Sequence, residues 1–275
     1  MGLLPLVGYE NWALTAKGST FAASPEHSSF PATNLGTGVP QQRAKLTGLS
    51  GYFDVTLPFA GLSLECAVLD LCSFGANSVV TAASYSDAGR TSIIYGPEEM
   101  TDRGDAQLWW LKFASRQDAR YWRFAVSVVL TEEEDVLLDT EEPVDSTAAI
   151  GEIYLGPIVE IGQMIANDLY RRASTIQQIT QRTPSGVVWP YPLSDVYKTF
   201  QIGWHGADSA TREQLIALQR YVQGSARPWF LAPAGTAWAE AYYVRLMGDI
   251  DLNYIVVNQD EIALALQEEP MPLEV

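Results

Sequence analysis

From Tyr197 onward the chain reads Tyr-Lys-Thr-Phe-Gln-Ile-Gly-Trp-His, and its apolar positions alternate. Lys198, Phe200, Ile202 and Trp204 fall on one face; Thr199, Gln201 and Gly203 fall on the other. A period of two predicts a strand. The period then changes. Leu215, Leu218 and Val222 recur at helical spacing, Asp208 and Ser209 stand where an N-cap belongs, and Gly224 stands where a C-cap glycine belongs. This predicts a helix running to Gln223. Residues 229–232, 241–247 and 254–257 follow as strands. A last strand, 262–266, alternates Ile262, Leu264 and Leu266 with Ala263 and Ala265, and Glu268, Glu269 and Pro270 stop it. A sheet with few strands and one covering helix leaves open edges, which invite pairing with other chains.

Up to residue 156 the pattern differs. Short alternating runs at 52–57, 63–72, 78–84, 107–113, 121–130 and 152–155 are separated by Gly, Pro, Ser and Asn clusters. No amphipathic helix of twelve or more residues interrupts them. This is the pattern of a β-sandwich or jelly roll. Long connections are expected at 24–45, 85–104 and 131–148. Trp109 and Trp110 are adjacent in one run, so they point to opposite faces. One belongs to the core; the other is either shielded as well or an exposed aromatic contact, such as a sugar platform.

Gly156-Pro157 marks the join, which predicts two domains, 1–156 and 157–275. Residues 158–166 are apolar and read as a connecting strand. A polar, strand-like run from Ala173 to Arg182 comes next, then Thr183-Pro-Ser-Gly186 with the composition of a turn, then Val187-Val-Trp-Pro-Tyr191. The outward strand of this hairpin carries only Ile176 and Ile179 as large apolar groups. That is too little surface to pack on its own domain. Arg171, Arg172 and Arg182 make it the most basic stretch of the chain and suit an acidic neighbour. With Val187 and Trp189 these five form the candidate subunit interface; an ordinary surface hairpin is the other reading.

Composition narrows the picture. At 275 residues the chain has room for one large or two ordinary domains, and 47% hydrophobic residues rule out wholesale disorder. The net charge is −16, split −11 before residue 157 and −5 after it. Nucleic acid and anionic membranes are poor partners for such a surface. Eight carboxylates between Glu132 and Asp145 read as a solvated, self-repelling loop, because their spacing fits no EF-hand and the run holds no glycine. No stretch approaches about 18 apolar residues, so no membrane insertion is expected. The Met-Gly-Leu-Leu-Pro-Leu-Val start lacks the charged segment and length of a signal peptide. Cys66 and Cys72, in one extended strand, would lie roughly 20 Å apart, too far for a disulfide. Two buried free thiols are expected, consistent with a reducing cytoplasm.

Chemistry-bearing clusters are sparse. His27 and His205 are the only histidines, and neither has a Cys or His partner at metal spacing. No Gly-x-Ser-x-Gly elbow occurs, and Gly36-Thr-Gly38 lacks the rest of a dinucleotide fingerprint. Carboxylates for glycoside hydrolysis need only meet in space, which leaves Glu26, Asp54 and Glu65 to check. The expectation is a non-enzyme with no metal and no cofactor.

Two resemblances rest on these runs. Phe30-Pro-Ala-Thr-Asn-Leu35, Tyr52-Phe-Asp-Val-Thr-Leu57, Ala119-Arg-Tyr-Trp-Arg-Phe124 and Gly151-Glu-Ile-Tyr-Leu-Gly156 resemble, in that order, the discoidin-like jelly roll. That implies a β-sandwich over 1–156 and permits binding of glycans or lipid head groups through apical loops. Phe200-Gln-Ile-Gly-Trp204, the helix 213–222, Arg227-Pro-Trp-Phe-Leu231 and Ile262-Ala-Leu-Ala-Leu-Gln-Glu-Glu269 resemble the ring-forming domain of distal tail and minor tail proteins. Such proteins belong to long-tailed phages and gene transfer agents. Together the resemblances imply a mainly β chain: the jelly roll, then a small β-barrel or sheet with one packed α-helix and a long β-hairpin reaching a neighbour. They imply a structural component of the tail tip or baseplate, a three- or six-fold homo-oligomeric ring between the tail tube and the hub proteins that recognise the host. Such a protein is made in the host cytoplasm without a signal peptide and resides in the virion tail. The alternative is an adhesion module that binds cell-surface glycan and is multimerised by its C-terminal domain.

Overall fold

The computed structural model describes residues 4–38, 42–74, 77–104, 107–128, 148–175, 178–182, 188–192, 197–223, 226–233, 241–248, 250–256 and 259–268. They group into two compact units. One is Glu10–Ile158; the other takes the residues up to Tyr9 and those from Val159 onward, Ala241 excepted. The expected 1–156 domain therefore differs at its start. The strand β1 (Leu6–Gly8) pairs with strands of the second unit, because its buried Leu6 and Val7 complete that sheet.

The first unit contains β2 (Thr20–Ser24), β3 (Ala44–Lys45), β4 (Ser50–Thr56), β5 (Leu64–Asp70), β6 (Val79–Tyr85), β7 (Ile93–Glu99), β8 (Thr101–Asp102), β9 (Trp109–Gln117), β10 (Tyr121–Ser127), β11 (Ala149–Ile150) and β12 (Glu152–Gly156). A five-stranded sheet runs β2-β4-β10-β6-β7 and a four-stranded one runs β12-β5-β9-β8. The chain passes between the two at β4 to β5, β5 to β6, β7 to β8 and β9 to β10, the path of a jelly roll. Phe53, Val55, Trp122 and Phe124 from one sheet and Leu69, Leu111, Phe113 and Leu155 from the other share one core. Phe113 and Trp122 stack at 5.0 Å. The runs quoted for the jelly-roll resemblance meet here: Arg123 lies opposite Asp54, and Phe124 opposite Phe53.

The connection expected at 85–104 contains β7 and β8. Strand β7 is an edge strand with six of its seven residues exposed, so no buried face imposes the alternation that would have revealed it. Most of the acidic run, residues 129–147, lies outside the described residues.

The second unit adds β13 (Val159–Glu160), β14 (Arg171–Thr175), β15 (Gln178–Arg182), β16 (Val188–Pro192), β17 (Tyr197–Ala207), helix α1 (Ser209–Val222), β18 (Trp229–Ala232), β19 (Tyr242–Leu246), β20 (Asp251–Val256) and β21 (Gln259–Glu268). Its eight-stranded antiparallel sheet runs β13-β1-β18-β19-β21-β17-β14, with β20 also on β21. Phe200, Ile202, Trp204, Ile262, Leu264 and Leu266 meet Leu215, Leu218 and Val222 of α1 in one core. The Asp208 side chain accepts from Thr211 N at 2.8 Å, the predicted N-cap. At the other end Gln223 takes the left-handed cap (φ 55, ψ 51), one residue before the glycine expected there; Gly224 lies outside the described residues. The architecture is the mainly β one expected: a jelly-roll sandwich, a sheet with one packed helix, and a long hairpin.

Candidate functional site

The sandwich end carrying the connection from β2 to β4 displays an aromatic ring. Backbone bonds from His27 N to Lys45 O and from Lys45 N to Phe30 O, both 3.0 Å, zip this loop to β3. Glu26 Oε1 accepts from Ala32 N at 2.6 Å, and Asn34 Nδ2 donates to Arg43 O at 2.8 Å. Buried Ala32 and Leu35 anchor the 3-10 turn that follows. Phe30 is thus held at the surface, 37% exposed. His27 lies 5.3 Å from it, ring to ring, and the Lys45 ammonium sits 4.5 Å from its centroid.

The outward face of the five-stranded sheet carries a second cluster. Arg123 forks onto Asp54, Nε to Oδ1 at 2.8 Å and Nη2 to Oδ2 at 2.9 Å, and its guanidinium lies 3.7 Å from the Tyr52 centroid. Arg90 approaches the same carboxylate, Nε to Oδ1 at 3.2 Å, and donates to Trp122 O, Val55 O and Thr56 Oγ1. Those bonds hold Arg90 at a positive φ of 55°.

The three carboxylates to check have separate structural duties. Asp54 is buried under two arginines, Glu26 holds Ala32 N, and Glu65 Oε2 accepts from Ile158 N at 3.0 Å. Sequence reasoning missed the acid pair the fold does bring together, Asp70 and Glu152, which are register partners on β5 and β12. Burial first, and the Asp70 charge second, push the Glu152 carboxyl well above the ordinary range. Asn11 Nδ2 donates to Glu152 Oε1 at 3.1 Å. Glu152 is fully buried, out of reach of any substrate. Nothing in the sequence spacing joins it to Asp70; only the sheet register does.

Trp109 is not an exposed aromatic contact. It is 3% exposed and packs on Phe74, because Trp109, Leu111 and Phe113 share the core face of β9. Trp110 points the other way and is half-buried. Cys66 and Cys72 are buried thiols not joined in a disulfide, and burial pushes the Cys66 thiol far up.

Of the interface candidates, Arg171 and Arg172 are exposed on β14, a terminal strand of the eight-stranded sheet. Arg172 Nη1 donates to Tyr242 Oη at 2.9 Å. Clefts of about 420 and 600 Å³ flank Arg171 over the outward faces of β17 and β21. Ile179, Arg182 and Trp189 fall in the β15–β16 ladder, with Arg182 opposite Val188 and Trp189 opposite Gln181. Among the described residues that ladder joins no other strand. Ile176 and Val187 lie outside the described residues. His205 Nε2 meets Asp168 Oδ2 at 2.9 Å, which raises the imidazole and lowers the carboxyl. Among the described residues no helix is long and apolar enough to cross a membrane.

No family model matches this chain, and no curated protein does. Among solved structures it is similar to the family 32 carbohydrate-binding module of Clostridium perfringens NanJ in complex with galactose. That match has 14% identity over 57% of this chain and 100% of the other, at a TM-score of 0.39. It is also similar to the lectin domain of Lectinolysin complexed with Lewis B antigen, at 12% identity, 54% and 97% coverage and a TM-score of 0.40. A third is chitosan-binding module 1 of a Paenibacillus sp. IK-5 chitosanase/glucanase, at 15% identity, 54% and 99% coverage and a TM-score of 0.39.

Proposed function

We propose that this chain is a multimerising glycan-recognition protein, in which the sandwich meets a surface glycan and the second unit joins copies. The observation that carries the reading is Phe30, an exposed ring on a backbone-zipped loop with His27 and Lys45 beside it. A fixed aromatic face stacks on the apolar face of a sugar, while polar groups at the rim take its hydroxyls. The test is a glycan array probed with the full chain and with Phe30→Ala. The reading expects the variant to lose its signals by about tenfold, the effect of one stacked ring. An unchanged array profile removes it.

A second reading is favoured by the β15–β16 ladder, which continues the hairpin past the sheet. On this reading the chain is a structural component of a long-tailed phage tail tip, a three- or six-fold ring between tail tube and baseplate hub. An edge strand and a polar arm satisfy each other when one copy's arm meets the next copy's edge, and such a contact closes into a ring where the rotation per copy allows. The test deletes residues 174–188, closes the gap with a short Gly-Ser turn, and reconstitutes tails. Incorporation at normal copy number removes this reading.

A further inference from the structure

We infer that the outward face of the five-stranded sheet is a binding site for carboxylate-bearing saccharides, separate from the Phe30 end. Four positions of β10 alternate outward: Tyr121, Arg123, Ala125 and Ser127. Around Arg123 the register sets Asp54 and Ala83 beside it, with Tyr121 opposite Tyr85 one step on and Ala125 opposite Tyr52 one step back. Small residues thus lie next to the guanidinium and half-exposed tyrosines at its rim. Exposed Arg120 adds its guanidinium 5.5 Å from the Tyr121 centroid.

The charge count is what selects the ligand. Arg90 and Arg123 share one carboxylate, Asp54, in a stretch (residues 10–158) whose own net charge is −11. Arg120, which donates to Leu57 O at 2.9 Å, adds a third cation to this end of the sheet, with Glu99 two strands away opposite Thr81. Asp87, in the loop that carries Arg90, has its carboxylate turned to the Thr91 and Ser92 amides. Asp54 takes Nε and Nη2 of Arg123, which leaves the Nη1 donors for an incoming carboxylate. Tyrosine faces supply stacking for the sugar ring, and their hydroxyls hydrogen-bond its substituents. An acidic ligand is also the one the rest of this anionic surface repels, so its binding here depends on the local arginine excess.

The test titrates the full chain with trigalacturonate and 3′-sialyllactose, using trigalacturonate methyl ester and lactose as neutral controls. Tyr121→Ala and Arg120→Glu are compared with the parent protein, and Phe30→Ala reports on the other end of the sandwich. The expected result is binding of at least one acidic probe, about tenfold weaker binding of its neutral control, and a similar loss in Tyr121→Ala. Phe30→Ala keeps the acidic affinity. Should Tyr121→Ala melt early, Arg120→Glu decides, since that residue is exposed. Equal affinity for acid and ester, loss through Phe30→Ala with retention in the face variants, or no binding of either acidic probe overturns the inference. Array signals that depend on Phe30 leave the earlier reading standing in each of those cases.

Discussion

In the sandwich each sheet covers the other, whereas in the second unit one helix of 14 residues covers one face of an eight-stranded sheet. The consequence shows on β17 and β21. Phe200, Ile202, Trp204, Ile262, Leu264 and Leu266 are buried in the core with α1, while Gln201, His205, Ala263 and Ala265 on the reverse are exposed. A closed sandwich uses its apolar residues on itself and keeps chemistry for loops and outer faces. The reverse of β18 and β19 is closed, with Phe230 and Tyr243 buried and stacked at 4.5 Å, so the open part of this sheet is its β17–β21 face and its edges. The first unit is built to present side chains, the second to present a surface.

The contrast is open to attack by mutation. Trp122→Ala deletes a fully buried ring stacked on Phe113 and is expected to cost about 3–5 kcal/mol. If the units melt separately, a calorimetric scan shows one transition moving and one staying. Leu218→Ala, at the centre of the helix contact, is expected to cost about 2–5 kcal/mol and to move only the other transition. A single merged transition in both variants breaks the comparison.

Glu152→Gln sharpens it within the sandwich. A carboxyl held above its ordinary value is protonated when folded and ionised when unfolded, so wild-type stability falls as pH rises from about the ordinary value of 4.5 through the folded one. The glutamine keeps the acceptor for Asn11 and removes the titration. Its melting temperature should match wild type in acid and exceed it increasingly toward neutral and alkaline pH. A constant offset across pH contradicts the buried-acid assignment. Asp208→Ala, which removes the N-cap of α1, should lower the stability of the second unit alone by denaturant unfolding, by less than either core truncation. The smallest expected effect is at His205. Its raised imidazole contributes stability below its ordinary value, and that contribution is lost as pH climbs through the folded one. Asp168→Asn should lower the His205 titration midpoint followed by NMR, with little change in melting.

What could be read in advance follows burial. The β17 alternation, the α1 stripe and the Asp208 cap were legible because one face of each element is buried and the other wet. Strand β7 was not, since an edge strand such as Ile93–Glu99 has no buried face to mark it. Strand β1 was hidden differently: three buried residues are too few to show a period, and their partners lie far along the chain. The candidate sites divide the same way. Arg171 and Arg172 were found by charge and are exposed. Phe30 lay inside a quoted run without being singled out, and the grouping of Tyr52, Tyr85, Tyr121 and Arg123 exists only once the strands are in register.

One pairing bears on how such a chain is made. Val7 of β1 lies opposite Val159 of β13, and Leu6 opposite Glu160, so the two strands form an antiparallel hairpin whose loop is the entire sandwich. During synthesis β1 emerges before the sandwich and waits, through the making of a whole domain, for β13 and then β18 to reach it. The jelly roll can fold in that interval and hold the two ends of its own chain ready, which shortens the search that closes the larger sheet. The same geometry makes the sandwich a cassette. A short turn from Tyr9 to Val159 would leave the sheet with all its strands, and another domain with neighbouring termini could be spliced into its place.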